Sequence, residues 1–349
     1  MTTTMGIAWR AVAAALSILV AAATSPAATM GSDRQPGDER AFGPQAPWNV
    51  PVAGLPRDPR SDRYAELLWT AAPADRPGDF NLNFDAYTYP VYYADQATGL
   101  YPVQTKWRTN LDHQRMPWNP AWRGAAGSDA QAIVLDPATG REWDLWQVSF
   151  DGKTVRATNG SLVRGDYRTK EDGNPPSRGI GIQYLAMLVR PREIADGAIR
   201  HALSMPIKNT SRTAYVAPAT KLEGKGRTED AIPEGTRFAL EATDKEIDAW
   251  ADGLPEALPP AARRSARIIA RALRDYGWFI TDNAGGATFQ FESRVTAGDA
   301  WVALGLGERS VGWKEYPRDL LDGLFTPGRI YAIVPSDQYP AALRARPTP

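Results

Sequence analysis

The segment 130–148 constrains the fold more than any other stretch, because its pattern is that of a β-hairpin. Two runs of apolar and aromatic residues flank the sequence Asp-Pro-Ala-Thr-Gly at 136–140. An aspartate, a proline and a final glycine suit a type I turn that closes with a left-handed residue. If Leu135 pairs with Arg141, Ile133 faces Trp143, whereas a slip of one residue would put Trp146 and Asp144 on that face instead. In either register, one face carries polar residues among tryptophans.

Similar patterns elsewhere in the chain predict a mainly β protein. Short strand-like runs and frequent Gly and Pro turns recur, without a repeat of solenoid or propeller period. We therefore expect one β-sandwich of the jelly-roll (concanavalin-like) type with a few peripheral helices. Caps and apolar stripes predict helices at 61–68, 191–196, 243–253 and 260–276. Central glycines predict a second hairpin at 278–292.

The N-terminal residues have the three parts of a secretory signal. Arg10 supplies positive charge, and residues 11–23 form an apolar run that is too short to span a bilayer and is followed by small residues. No later segment is long and apolar enough to be transmembrane. We expect a signal peptide at 1–28, secretion from the cell, an extended linker or arm at 29–60, and a single β-sandwich domain at 61–349.

Composition and missing motifs exclude several classes of chemistry and partner. The chain has no cysteine, which rules out disulfides, thiol nucleophiles and Cys-based zinc sites. Forty basic residues balance forty acidic ones, so no basic field attracts nucleic acid. There is no G-x-S-x-G elbow, P-loop, dinucleotide fingerprint or H-E-x-x-H, and the glycines at 179 and 181 carry no motif. We expect a monomer without cofactor or metal, and no membrane contact beyond the signal peptide.

Aromatic residues are the compositional signal of this chain. It contains 12 Trp and 13 Tyr, and many of them lie between Phe80 and Trp146. They fit the core of a large β protein, because aromatic side chains pack well on a pleated surface. They also fit a sugar-binding platform, because a flat ring buries the apolar face of a sugar while its polar edge bonds elsewhere.

Polar residues at predicted strand ends form a candidate catalytic site. Asp129 precedes the first strand of the hairpin, and Asp282 ends a later strand beside a turn. His201 lies in a predicted strand at 199–205, where alternation places it on the same face as apolar residues. Each has a purely structural alternative: the aspartates could cap turns, and the histidine could be a core residue bonded to the backbone.

Together these residues match what glycoside cleavage requires. One carboxyl group donates a proton to the leaving oxygen, and a second activates water or attacks the anomeric carbon. We expect Asp129 and Asp282 to be this pair, with His201 as a tuning or proton-shuttling group. The sequence thus predicts a secreted carbohydrate-active enzyme that cleaves a polysaccharide or cell-wall glycan, foremost a glycoside hydrolase. The expected substrate-binding residues are Trp143, Asp144, Trp146, Gln147 and Arg164.

Two other functions use the same residues. In a polysaccharide lyase, His201 or a tyrosine would abstract the proton beside a uronate carboxyl group, which Gln147 or Arg164 would neutralise. A non-catalytic glycan-binding protein would use the aromatic residues alone. A triad of Ser128, His201 and Asp282 is formally possible, but no local motif supports it.

Several stretches together resemble a family of secreted, largely actinobacterial proteins that has no assigned activity. The resemblance covers about Asp85 to Glu292, and it implies a single domain across both hairpins and a shared site. The family features that carry over are the Ser-Asp before the hairpin, at Asp129, and Ile-x-His-Ala-Leu, at His201. The matching stretches are Pro90–Ala94, Gly127–Asp129, Asp136–Gly140 with Asp144–Gln147, Leu188–Pro191 with Glu193-Ile194, Gly197–Leu203, Pro233–Arg237, and Tyr276-Gly277 with Asp282.

Overall fold

The computed structural model describes Met1 and residues 41–223 and 230–344, and the part from 41 onward belongs to one compact unit. The fold is mainly β, as predicted, with 27% of residues in strands and 21% in helices. The strands are β1 (Asn81–Asn83), β2 (Val91–Tyr93), β3 (Gly99–Thr105), β4 (Arg115–Trp118), β5 (Ala132–Asp136), β6 (Arg141–Trp146), β7 (Ser149–Phe150), β8 (Val155–Ala157), β9 (Asn159–Leu162), β10 (Leu203–Ile207), β11 (Thr210–Tyr215), β12 (Ile232–Glu234), β13 (Arg237–Leu240), β14 (Trp278–Asn283), β15 (Thr288–Gln290), β16 (Arg309–Val311), β17 (Lys314–Tyr316) and β18 (Ile330–Ile333). The helices are α1 (Ser61–Thr70), α2 (Pro191–Ala195), α3 (Asp244–Asp252), α4 (Pro260–Asp275), α5 (Arg294–Ala303) and α6 (Ala341–Arg344).

These strands form three four-stranded sheets and three two-stranded ones. The larger sheets have the strand orders β2-β5-β6-β9, β4-β3-β8-β7 and β10-β14-β13-β18. Each of the three contains a parallel pair, whereas a jelly roll is built from antiparallel strands in two sheets. These sheets do not confirm the jelly-roll type of sandwich, which stays a prediction.

The hairpin at 130–148 is confirmed, and of the two registers that the sequence leaves open it has the one shifted by one residue. Arg141 pairs with Asp136 rather than with Leu135, so the loop has four residues. The Asp136 carboxylate accepts a hydrogen bond from the amide of Ala138 at 3.1 Å and from the hydroxyl of Thr139 at 2.5 Å. Asp136 therefore ends its strand and shapes the turn at the same time.

The second predicted hairpin does not form, because its two strands pair elsewhere. Strand β14 lies between β10, which is parallel to it, and β13, which is antiparallel. Strand β15 instead pairs in parallel with β1. The central position of β14 takes up the hydrogen-bonding edges that a hairpin partner would use.

The predicted strand at 199–205 begins later than expected. Regular pairing with β14 starts at Leu203, whose amide donates to the Gly277 carbonyl at 2.9 Å. The preceding amide, that of Ala202, donates to the Trp48 carbonyl at 2.7 Å, so His201 lies in a bend before the strand. The alternation argument that placed His201 on a strand face is therefore wrong.

Part of the predicted linker is packed into the protein. Trp48 and Val50 are buried, and the guanidinium of Arg237 donates to the Pro47 carbonyl at 3.2 Å and to the Val50 carbonyl at 2.6 Å. The linker interpretation is therefore wrong for residues 41–60, because their apolar side chains belong to the core. The rest of that segment and the predicted signal peptide, residues 2–40, lie outside the described residues.

Helices α1 and α4 pack against the sheet β10-β14-β13-β18. The predicted boundaries of α1 to α4 are nearly those observed. The capping box of α3 forms, with the Thr243 hydroxyl accepting from the Glu246 amide at 3.2 Å. The apolar stripe of α4 packs in the largest core cluster, where Ile269 and Leu273 are fully buried. Among the described helices, none combines the length and the apolar character needed to cross a membrane.

Candidate functional site

A cleft of about 1200 Å³ opens where several sheets meet, and it brings together part of the predicted site. Asp282 enters it from the end of β14, and Trp146 from the end of β6. Asp129 lines it from the loop before β5. The other predicted site residues are not among its lining residues: Trp143, Asp144, Gln147, Arg164 and His201.

Asp282 is half-buried and lies beside a second carboxyl group that the sequence did not reveal, Glu223. Burial raises the pKa of Asp282 well above its usual range, and a hydrogen bond shared with Glu223 raises the pKa further. The nearby charge of Arg178 opposes this shift. The Asn283 amide holds the carboxyl group by donating to Asp282 Oδ1 at 2.8 Å. Asp282 is therefore a carboxyl group that holds its proton more strongly than an ordinary aspartate, at the wall of an open cleft.

Glu234 completes a cluster of three carboxyl groups. One oxygen from each of Glu223, Glu234 and Asp282 lies within 4.8 Å of the others. Both carboxylate oxygens of the buried Glu234 already accept hydrogen bonds. Oε1 accepts from the Thr210 hydroxyl at 3.1 Å, and Oε2 accepts from the Glu223 amide at 3.2 Å. Proximity alone does not make a metal site, and we assign none; the absence of a metal stays a prediction.

Gly179 explains how the two carboxyl groups fit against the loop at 178–181. A methyl group added at Gly179 would overlap Glu223 Oε2 and lie 2.7 Å from Asp282 Oδ1. Any larger side chain would displace both groups. Position 179 therefore requires a glycine for a structural reason that the sequence pattern did not show.

Asp129 is half-buried at the cleft and is held by the loop that carries it. Gln131 Nε2 donates to its carboxylate at 3.2 Å, and the Gln147 amide donates to its backbone carbonyl at 2.7 Å. Gln147 Nε2 also donates to the Ser128 carbonyl at 3.2 Å. Gln147 thus positions the loop that presents Asp129, although the sequence placed it among the substrate contacts.

Two tryptophans form an aromatic face in the cleft. Trp107 is 51% exposed, and its ring centroid lies 5.5 Å from that of Trp146 with a tilt of 40°. Its backbone amide donates to the Thr158 carbonyl at 2.9 Å, which fixes the loop after β3. The two rings give the cleft an apolar face, and apolar surface of this kind is found in ligand-binding grooves. No sequence pattern marks Trp107, which lies in a polar stretch of the chain.

A buried network of polar residues forms another part of the cleft wall. Arg178 and Tyr87 line the cleft and have left-handed backbone conformations, with φ angles of 44° and 59°. The Gln290 side chain connects them: its Nε2 donates to the Tyr87 carbonyl at 2.9 Å, and its Oε1 accepts from the Arg178 guanidinium at 3.4 Å. Backbone strain of this kind, in residues other than glycine, is found mainly at functional sites. Sequence patterns do not reveal this network, because its members come from distant segments.

His201 is placed by the structure in a different environment. It is buried, with Nδ1 2.8 Å from the Ala202 carbonyl and Nε2 2.9 Å from Glu193 Oε1. Glu193 belongs to α2, so the imidazole connects this helix to the start of β10. These contacts give His201 a structural role, and its expected place beside Asp129 and Asp282 is not observed.

The predicted substrate contacts on β6 are also largely internal. Trp143 packs in a core cluster, and Asp144 is 1% exposed. Asp144 accepts hydrogen bonds from the Ser177 hydroxyl and, at 3.1 Å, from the Tyr184 amide. Both faces of the hairpin are buried, since Trp143 lies opposite the buried Val134 and Asp144 opposite the buried Ile133. Arg164 is exposed but lies outside the cleft lining.

Comparison with known proteins leaves the function to be argued from the site. Searches of the chain against models of protein families, curated proteins and solved structures found no match. The resemblance to secreted actinobacterial proteins therefore stays a prediction.

Proposed function

We propose that this protein is a carbohydrate-active enzyme that cleaves a polysaccharide by hydrolysis. The observation that carries the proposal is the pair of carboxyl groups formed by Asp282, whose pKa is raised, and Glu223 at the wall of a cleft that also holds two tryptophans. A carboxyl group with a raised pKa holds a proton that it can donate to a glycosidic oxygen. Asp129 lines the same cleft and is the candidate to activate water or attack the anomeric carbon. His201 has no part in this mechanism.

The dimensions and chemistry of the cleft support a glycan as substrate. Its volume of about 1200 Å³ exceeds the range of roughly 300–1000 Å³ that is usual for small-molecule sites. The rings of Trp107 and Trp146 provide apolar faces for stacking, and the carboxyl and amide groups around them can bond sugar hydroxyls. Sugars need both kinds of contact, because each ring has apolar faces and a polar edge.

The test is to incubate the protein with plant, fungal and bacterial wall polysaccharides and to analyse the products. A hydrolase releases reducing ends without ultraviolet absorbance, which is the expected result. A lyase product is unsaturated and absorbs in the ultraviolet, and that outcome would replace the hydrolytic mechanism. Retention of a glycan without any released product would instead favour the non-catalytic binding function.

Replacing Trp107 with alanine is expected to weaken glycan binding by about tenfold, because the stacking face loses its exposed ring. The fold should keep its melting temperature, because the ring is 51% exposed. Calorimetric titration with the bound glycan measures the effect.

The matched control for this prediction is Trp313→Ala. Trp313 is 74% exposed but does not line the cleft. An equal loss of affinity in both variants would mean that Trp107 has no specific role in binding.

Three further parts of the sequence-based prediction are proposals of the same kind. We propose that the protein is exported by a signal peptide at 1–28, acts as a monomer, and has the jelly-roll type of sandwich. The cleft does not depend on that fold type, because loops and strand ends of several sheets build it. The N-terminal sequence of the mature protein and its mass in solution test the first two proposals.

A further inference from the structure

A third aromatic ring lines the cleft, apart from the two tryptophans. Tyr87 is 48% exposed and borders the cleft. Among the described residues, its ring contacts neither that of Trp107 nor that of Trp146, whereas those two rings lie 5.5 Å apart. By contrast, the ring of the nearby Tyr89 is buried and stacks on a neighbouring tyrosine. The ring of Tyr87 therefore forms a separate apolar face of the cleft.

The backbone of Tyr87 is held in an unfavourable conformation. Its φ angle of 59° lies in the left-handed region, which bulky side chains rarely adopt. Two hydrogen bonds hold it there: the Tyr87 amide donates to the Ala126 carbonyl at 3.1 Å, and Nε2 of the buried Gln290 donates to the Tyr87 carbonyl at 2.9 Å. Strain of this kind persists only where the surrounding structure fixes it. Because about half of the ring is exposed, packing in the core does not account for the strain.

Gly127 leaves room for the ring of Tyr87 beside the loop that carries Asp129. This glycine has a left-handed conformation, with a φ angle of 89°, and a methyl group added to it would lie 2.9 Å from the ring. Two residues later, the Asp129 carbonyl accepts from the amide of Gln147, the residue that follows Trp146, at 2.7 Å. The loop 126–129 therefore has the ring of Tyr87 at one end and the end of β6 at the other.

We infer that Tyr87 forms a second stacking subsite, so that the cleft binds two separate sugar units of one glycan chain. One unit packs on Tyr87 and the other on the face formed by Trp107 and Trp146, since an aromatic ring can cover the apolar face of a sugar. The inference rests on the proposed function, because it concerns the same cleft and the same kind of ligand. The two faces border opposite ends of the Asp129 loop, so sugar units lie on both sides of the reacting bond. The substrate is therefore a chain of sugars and not a single sugar with a small leaving group.

Calorimetric titration with four hexasaccharides tests the subsite: cellohexaose, xylohexaose, laminarihexaose and chitohexaose. The titrations use an Asp282→Asn background, which removes the proposed acid and keeps the ligand intact. For the hexasaccharide that this background binds best, Tyr87→Ala should weaken binding by about tenfold, whereas Tyr87→Phe, which keeps the ring face, should not weaken it. A loss of less than about threefold in Tyr87→Ala, or binding of none of the four sugars, would overturn the inference. An equal loss in Tyr87→Phe would contradict stacking.

The matched control is Tyr215→Ala. Tyr215 is 45% exposed and does not line the cleft, so this variant should bind as the background does. An equal loss of affinity in both alanine variants would contradict a specific role for Tyr87. Tyr87→Gly provides a second measurement where the alanine variant folds poorly, because glycine adopts the left-handed conformation without steric cost. It should show the same loss of affinity and melt no lower than Tyr87→Ala.

Combining Tyr87→Ala with Trp107→Ala shows whether two sugar units are bound. Contacts with separate sugars act independently, so the double variant should bind about 100-fold more weakly, the product of two tenfold losses. Rings that hold the same sugar unit would give a double variant hardly weaker than either single variant. That result would overturn the inference.

Binding and cleavage separate this inference from the proposed function. Weaker binding by Tyr87→Ala, with no reducing ends released by the wild type, would support the second subsite and contradict the enzyme. Release of reducing ends by the wild type, with unchanged affinity in Tyr87→Ala, would support the enzyme and contradict the second subsite.

Discussion

Replacing Asp282 with asparagine is expected to lower the rate of glycan cleavage by about 100- to 10,000-fold, the usual contribution of a general acid. The amide cannot donate a proton to the leaving oxygen, but its carbonyl can still accept the hydrogen bond from the Asn283 amide. The variant should therefore keep the fold and bind glycan. Release of reducing ends measures the rate, and Asp299→Asn, an exposed position on α5, is the matched control. Activity within tenfold of the wild type would contradict the assignment.

The rate of the same reaction should depend on pH in a direction that the pKa shift of Asp282 determines. The raised pKa keeps Asp282 protonated into the range where ordinary aspartates are charged, so activity should fall as pH rises through that pKa. Glu223 contributes to the shift by hydrogen bonding and charge. In Glu223→Gln, the alkaline limb of the pH–rate profile should therefore move to lower pH. An unmoved limb would mean that another group supplies the proton.

Local patterns predicted the elements that local contacts determine. The capping box at Thr243 and the apolar stripe of α4 depend on residues close in sequence, and both are observed. The hairpin at 130–148 also formed, but its register depended on how the Asp136 side chain bonds within the turn. Because both faces of this hairpin are buried, its apolar pattern does not choose between two registers that differ by one residue.

The candidate site was only partly predictable, because it depends on contacts between distant segments. Asp129, Trp146 and Asp282 were found because each lies at the end of a strand or beside a recognisable turn. Glu223 and Arg178 lie in loops whose paths no periodic pattern reports. The prediction that His201 lies within a strand was wrong for a related reason. The position at which β10 begins depends on its pairing with β14, which the sequence around the histidine does not report.

Replacing Glu142 with glutamine is expected to make the protein more stable than the wild type at pH 8, by about 1–3 kcal/mol, the cost of an unsatisfied buried polar group. Glu142 and Asp144 are both buried, and Glu142 Oε2 and Asp144 Oδ1 have no hydrogen-bond donor. A proton shared between the two groups satisfies both atoms. Burial raises the pKa of Glu142 well above its usual range, and burial raises the pKa of Asp144 to about 6.

The sign of this pH effect follows from proton binding. Because both pKa values are higher in the folded state, the folded protein holds more protons than the unfolded chain above about pH 4, and its stability falls as pH rises. In Glu142→Gln, the amide can donate to Asp144 Oδ1 at every pH, while its carbonyl can still accept from the Leu185 amide, as Glu142 does at 2.9 Å. Urea unfolding should therefore show similar stability of the two proteins at pH 5 and a more stable variant at pH 8. Glu256→Gln, at an exposed position, should follow the wild type at both values. A Glu142→Gln variant that is less stable than the wild type at pH 8 would show that the pair does not share a proton.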